Sequence, residues 1–170
     1  MSADLTGTYL TLDDGRPAVR FSRTYDHPVE RVWQFVTDAD ELAHWFPSRA
    51  EIDPRPGGEI TFSGDPNMAD SKGRVLAVDA PRHLSFEWGG DELHFDLEAL
   101  DGERTRFTLT NVLSEANTAA RNGAGWEVCL AALETYANGS PTRGQAPWKE
   151  FYDGYVAAGV PSGAPVPGLD

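Results

Sequence analysis

GWEVCLAAL, residues 125–133, sits inside a helical run that follows a string of strand-like segments, and its reading decides the fold. Trp126, Leu130, Leu133 and Ala137 recur at helical spacing, so one face of the run is apolar and must cover something. The preceding residues form a meander of short alternating strands. The expectation is one long helix, from about Ala116 to Asn138 and stopped by Gly139, laid across a curved sheet. Gly123 and Gly125 weaken its first half. A sheet gripping a single helix leaves a hollow between them, so the sequence argues for a binding shape.

The strands are marked by period-two patterning and by breakers. Leu10 and Leu12 share a face before the turn Asp13-Asp14-Gly15, and a second run, Ala18 to Tyr25, completes a hairpin. Asp26 is placed to cap the next element, with Pro28 in its first turn and Val29, Val32, Trp33 and Val36 along its buried side. A shorter helix follows, with Leu42, Trp45 and Phe46 on one side. Ala50 and Ile52 lead into the breaker cluster Pro54 to Gly58. Ile60 and Phe62 share a face in a strand ended by Gly64-Asp65-Pro66. Val75 to Val78 is a short apolar strand. Leu84, Phe86 and Trp88 alternate up to Gly89-Gly90, and Leu93, Phe95 and Leu97 alternate up to Asp101-Gly102; Phe107 and Leu109 close the series. Short links imply antiparallel neighbours.

Two regions are expected, a domain over residues 1–139 and a Pro/Gly-rich tail over 140–170. Within the tail, Trp148, Phe151, Tyr152 and Tyr155 recur at helical spacing, a short aromatic helix near 147–158. Its face has nothing of its own to pack on, so docking onto the main domain is expected; a lid or homodimer contact is the alternative.

The 170 residues carry a formal net charge of −13, with 14 basic residues scattered along the chain. That balance argues against nucleic acid and anionic membranes as partners. No segment approaches the length of a membrane span, and MSADLTGTYL has no signal-peptide pattern. Cys129 is the single cysteine, consistent with a reducing cytoplasm, and its apolar helical setting makes it a buried structural thiol. His27, His44, His83 and His94 have no metal-ligand spacing; His94 has the parity opposite to Leu93 and Phe95, and His27 belongs to a helix entrance. Glu87 and Glu98 fall on outer strand faces. No nucleophile elbow, phosphate loop or carboxylate pair is present, so no catalytic residue, metal or cofactor is assigned.

The stretches HPVERVWQFVTDADELAHWFP, PRPGG, LSFEW and GWEVCLAAL, in that order, resemble the family named for the activator of heat-shock protein 90 ATPase, within the START-like (SRPBCC) superfamily. The resemblance covers about residues 5 to 139. It implies an α+β helix-grip fold, with an antiparallel sheet around the long C-terminal helix, two small helices at one end and a deep apolar cavity. Members of the family often carry a His in the last strand where this chain has Asn111, so acid–base chemistry is not expected there.

On that fold Trp126, Leu130 and Leu133 form the helix wall of a binding cavity. Phe62, Phe86, Trp88, Phe95 and Phe107 form the sheet wall, Trp33 and Trp45 complete the aromatic set, and Asn111 is the polar group that orients a ligand. The function expected first is binding of a small hydrophobic or amphipathic molecule. The resemblance also implies two alternatives, a co-chaperone acting on the heat-shock ATPase, or a cyclase or hydrolase acting on an aromatic or polyketide-like ligand.

Overall fold

The computed structural model describes residues 5–65, 69–139 and 148–165. The turn at Pro66 and the tail segments 140–147 and 166–170, expected above, lie outside the described residues. Strands β1 (Thr8–Thr11) and β2 (Pro17–Tyr25) form the opening hairpin, followed by helices α1 (Val29–Thr37) and α2 (Ala39–Leu42). Strands β3 (Arg49–Ile52), β4 (Glu59–Ser63), β5 (Ser71–Asp79), β6 (His83–Trp88), β7 (Asp91–Ala99) and β8 (Thr105–Val112) come next, then helices α3 (Ala119–Ala137) and α4 (Trp148–Ala157). All eight strands belong to one antiparallel sheet in the order β1-β2-β8-β7-β6-β5-β4-β3. It is a curved, unclosed sheet with α3 held in its grip: the long helix across a curved sheet that the periodicity predicts, and the α+β helix-grip fold that the family resemblance implies.

Alternation explains the core. Phe21, Phe86, Leu93, Phe95, Phe107 and Leu109 face inward and are buried, as are Trp126, Leu130 and Leu133 on the facing side of α3. Full burial of each large apolar side chain contributes roughly 1.5–3 kcal/mol. His94 points outward and bonds Glu92 on the solvent face.

Four local expectations are corrected. Asp26 does not cap α1: Pro28 itself occupies the N-cap, without a side-chain hydrogen bond, and Asp38 instead caps α2 by accepting from the Asp40 amide. Strand β5 begins at Ser71, ahead of the apolar run, because its polar first half pairs with β4 while its second half pairs with β6. Residues Ala116–Thr118 form a separate 3₁₀ turn before α3. His27 serves the far end of the long helix and not α1; its Nε2 lies 2.6 Å from the carbonyl of Ala137 in the last turn of α3.

Helix α3 is buried on two faces. Besides the sheet-facing side, Ala120, Gly123 and Ala124 are buried beneath α4. The two glycines that weaken the helix in sequence lie on this side. A methyl at Gly123 would lie 3.3 Å from the Tyr155 ring, whereas the nearest atom to one at Gly125 is Trp148 Nε1 at 4.0 Å. Gly125→Ala is therefore expected to stabilise the protein by about 0.5–1 kcal/mol through helix propensity. Gly123→Ala gains nothing, because its methyl presses on the ring; paired denaturant melts distinguish the two.

Candidate functional site

The predicted aromatic residues fall into two groups. Trp45, Phe95 and Phe107 form the deeper one, with ring centroids 5.5–6.2 Å apart, and the Trp45 indole N–H donates to the Phe35 carbonyl at 2.8 Å. Phe62, Phe86, Trp88 and Trp126 gather towards one end of the grip around Phe46, whose centroid lies 5.8–6.4 Å from each of theirs. Trp88 and Trp126 are themselves 5.2 Å apart. Leu130 and Leu133 continue the helix wall deeper into the core. Trp33 stands apart, half-buried on α1 at the margin of the core.

Asn111 is at 0% exposure and is the centre of a polar network. Its Nδ2 donates to Asp91 Oδ2 at 3.0 Å and to the Val112 carbonyl at 3.3 Å. Its Oδ1 accepts from Trp126 Nε1 and Asn122 Nδ2, both at 3.1 Å. Asn122 also donates to Asp91 Oδ2 at 3.2 Å, and the Ser114 amide donates to Asp91 Oδ1 at 2.9 Å. Both carboxylate oxygens thus accept from N–H donors. The chemistry this favours is orientation, with an amide fixed in one rotamer and the Trp126 indole pinned to it.

Local geometry explains how these groups meet. Gly89 and Gly90 both have positive φ and close a two-residue hairpin turn, which pairs Trp88 with Asp91 on the same face of the sheet. Asp91 then shares the inward parity of Leu93, which pairs with Asn111. Asn122 lies four residues before Trp126, so both face the sheet from one side of α3. Asp91 and Asn122 are not among the residues that the sequence assigns to the site, although the hairpin register and the helical spacing carry a signal for both.

A second polar group lies at the rim. Ser48 is buried, and its Oγ has no hydrogen-bond partner among the described residues. It lines a cavity of about 10 Å³ together with Phe62, Ser71 and Trp88, roughly the space one water needs. A wider open groove of about 690 Å³ lies elsewhere, where the first turn of α1 meets the β5–β6 turn and the adjoining ends of β7 and β8. Its basic side chains are already engaged: the His83 ring with Asp96 at 2.7 Å, Arg82 with Asp79 at 3.4 Å and Arg106 with Glu98 at 3.2 Å. It contains none of the predicted site residues.

On the far side of α3 the Glu127 carboxylate is buried at a junction of four segments. It accepts from the Thr6 amide and the Tyr155 hydroxyl, both at 2.8 Å, from the Thr6 hydroxyl, and more loosely from Arg23 at 3.5 Å. The Tyr155 hydroxyl also accepts from the Gly7 amide at 3.0 Å. Burial, then the neighbouring Glu127, push the acidity of that hydroxyl far down, so Tyr155 stays a donor at ordinary pH.

Comparison with known proteins agrees with this architecture. Protein EF2215 of Enterococcus faecalis superposes with a TM-score of 0.76 at 18% identity, over 89% of each chain. CalU16 of Micromonospora echinospora has a TM-score of 0.68 at 24% identity, over 92% of this chain and 98% of its own. DynU16, from the dynemicin biosynthetic locus, has a TM-score of 0.61 at 24% identity over 75% of this chain and 49% of its own. No curated protein matches the chain. Residues 26–138 match the family described as Activator of Hsp90 ATPase homolog 1-like protein. The chain therefore belongs to the Activator of Hsp90 ATPase homolog 1-like family.

Proposed function

We propose that the protein binds a small hydrophobic or amphipathic molecule at the end of the grip where Trp88, Trp126, Phe46 and Phe62 converge. The observation that carries this reading is the meeting of an aromatic wall with the oriented Asn111 network and the Ser48 hydroxyl, which has no hydrogen-bond partner among the described residues. Apolar lining with a few placed polar groups is the usual make-up of a small-molecule site. The apolar body of the ligand lies against the rings, and its polar group reaches Ser48 or the Asn111 network. The fold shared with DynU16, which comes from a biosynthetic locus, is in keeping with a small organic ligand.

Native mass spectrometry of freshly purified protein, before and after denaturation, tests for a resident ligand through a discrete mass lost on unfolding. Titration with the apolar dye anilinonaphthalene sulfonate then tests the location. Trp88→Ala is expected to weaken dye affinity about tenfold, equivalent to roughly 1.4 kcal/mol. Leu76→Ala, at an exposed position on β5, leaves it within about twofold, a change of a few tenths of a kcal/mol. Equal effects of the two substitutions retire the assigned site.

The family description favours a second reading, stimulation of a heat-shock protein 90 ATPase. An ATPase assay with the host chaperone decides it, and an unchanged rate removes it.

A further inference from the structure

We propose that residues 148–165 form a latch on the first half of α3, and that the binding site opens by local release of this latch. The inference rests on the site proposed above. It begins from the closed state of that site. Trp126, Phe62 and Phe86 are at most 3% exposed, and the cavity at the rim is about 10 Å³. Small-molecule sites are usually about 300–1,000 Å³, so something must move to admit a ligand.

The first half of α3 is the part least able to hold itself. It contains Gly123 and Gly125, each costing about 0.5–1 kcal/mol relative to alanine within a helix. Its N-cap, Thr118, makes no side-chain capping bond. Residues after the matched family region make up the deficit. The Pro161 carbonyl accepts from the Ala120 amide at 3.0 Å, supplying the missing cap from outside the helix. Arg121 donates to the Pro165 carbonyl at 3.1 Å, the Tyr155 ring seats on Gly123, and the Tyr155 hydroxyl donates to the buried Glu127.

The same two turns carry the site on their opposite side. Asn122 donates to Asp91 and Asn111, and Trp126 donates to Asn111. Arg121 and Asn122 are consecutive, as are Trp126 and Glu127, so each pair touches latch and site together. The second half of α3 is secured separately, by Leu130 and Leu133 in the core and by His27 at the Ala137 carbonyl. On the opposing wall, β7 and β8 pair continuously from Glu92–Val112 to Ala99–Thr105. Release of the latch therefore frees residues 119–127 before the sheet or the end of the helix.

Hydrogen exchange of the full chain tests this with Tyr155→Phe and Glu127→Gln, two small changes that weaken the junction while conserving shape. Exchange over 119–127 is expected to rise about tenfold in both, with 130–137 and 91–99 within about twofold. Association of anilinonaphthalene sulfonate should quicken in step. His27→Ala is the control: it loosens 130–137 and leaves the dye rate unchanged. Uniform acceleration along the chain, or no change at 119–127, overturns the latch. Faster exchange without faster dye entry overturns its control of the site. Absence of dye uptake by every form retires the binding site itself, which exchange distinguishes because it is read without dye.

Discussion

Replacing Trp126 with alanine is expected to lower the stability of the protein by about 4 kcal/mol and its melting temperature by roughly 8–16 °C. The indole is 1% exposed, lies 5.2 Å from the Trp88 ring and 5.8 Å from that of Phe46, and donates to Asn111. Truncation removes the apolar contacts, leaves a void between helix and sheet, and deprives Asn111 Oδ1 of one donor. Trp126→Phe separates these contributions: it keeps most of the volume and loses the N–H, so its cost should be about 1–2 kcal/mol. Denaturant melts followed by far-ultraviolet circular dichroism measure both. An alanine variant that loses less than about 1 kcal/mol would show that the ring is not buried between α3 and the sheet.

The second large effect concerns Asn111. Asn111→Leu has nearly the right size and no hydrogen-bonding capacity, so its penalty is chiefly polar. It strips one donor from the buried Asp91 carboxylate and the acceptor from both Trp126 and Asn122. The expected cost is about 3 kcal/mol, above a typical single hydrogen bond because a buried charge loses a partner. A double-mutant cycle with Asp91→Leu sharpens the test. Removing both partners together should cost less than the sum of the two single substitutions, with a coupling of about 1–3 kcal/mol. Additive costs would show that Asp91 and Asn111 do not act on one another. Weakened dye binding by Asn111→Leu beyond its effect on stability would further tie the network to the ligand.

How much of this was legible before folding differs from residue to residue. Phe86, Leu93, Phe95 and Phe107 could be assigned to the inner wall from alternation alone, because strand parity is a property of the local backbone. Trp126, Leu130 and Leu133 followed in the same way from helical spacing. The polar character of the site was legible at Asn111 only. Asp91 required pairing across the Gly89-Gly90 turn, and Asn122 required its helical face to be read together with Trp126. Ser48 offered no signal, since what distinguishes it is burial without a hydrogen-bond partner among the described residues once β3, β5 and β6 have come together.

The two glycines of α3 mark the boundary most clearly. Within the chain Gly123 is only a weak spot in a helix; in the fold it is the seat of Tyr155, and the small residues around it receive α4. Sequence by itself determined most of the elements, their buried faces and a long helix laid across a curved sheet, because periods of two and 3.6 follow from backbone geometry and need no distant partner; the helix-grip arrangement came from the family resemblance. Tertiary structure alone decided that Asn111 meets Asp91, Asn122 and Trp126, that Glu127 joins four segments, and that residues beyond 157 cap α3. Those contacts depend on register and packing between residues far apart in the chain, and local patterning carries no record of such distances.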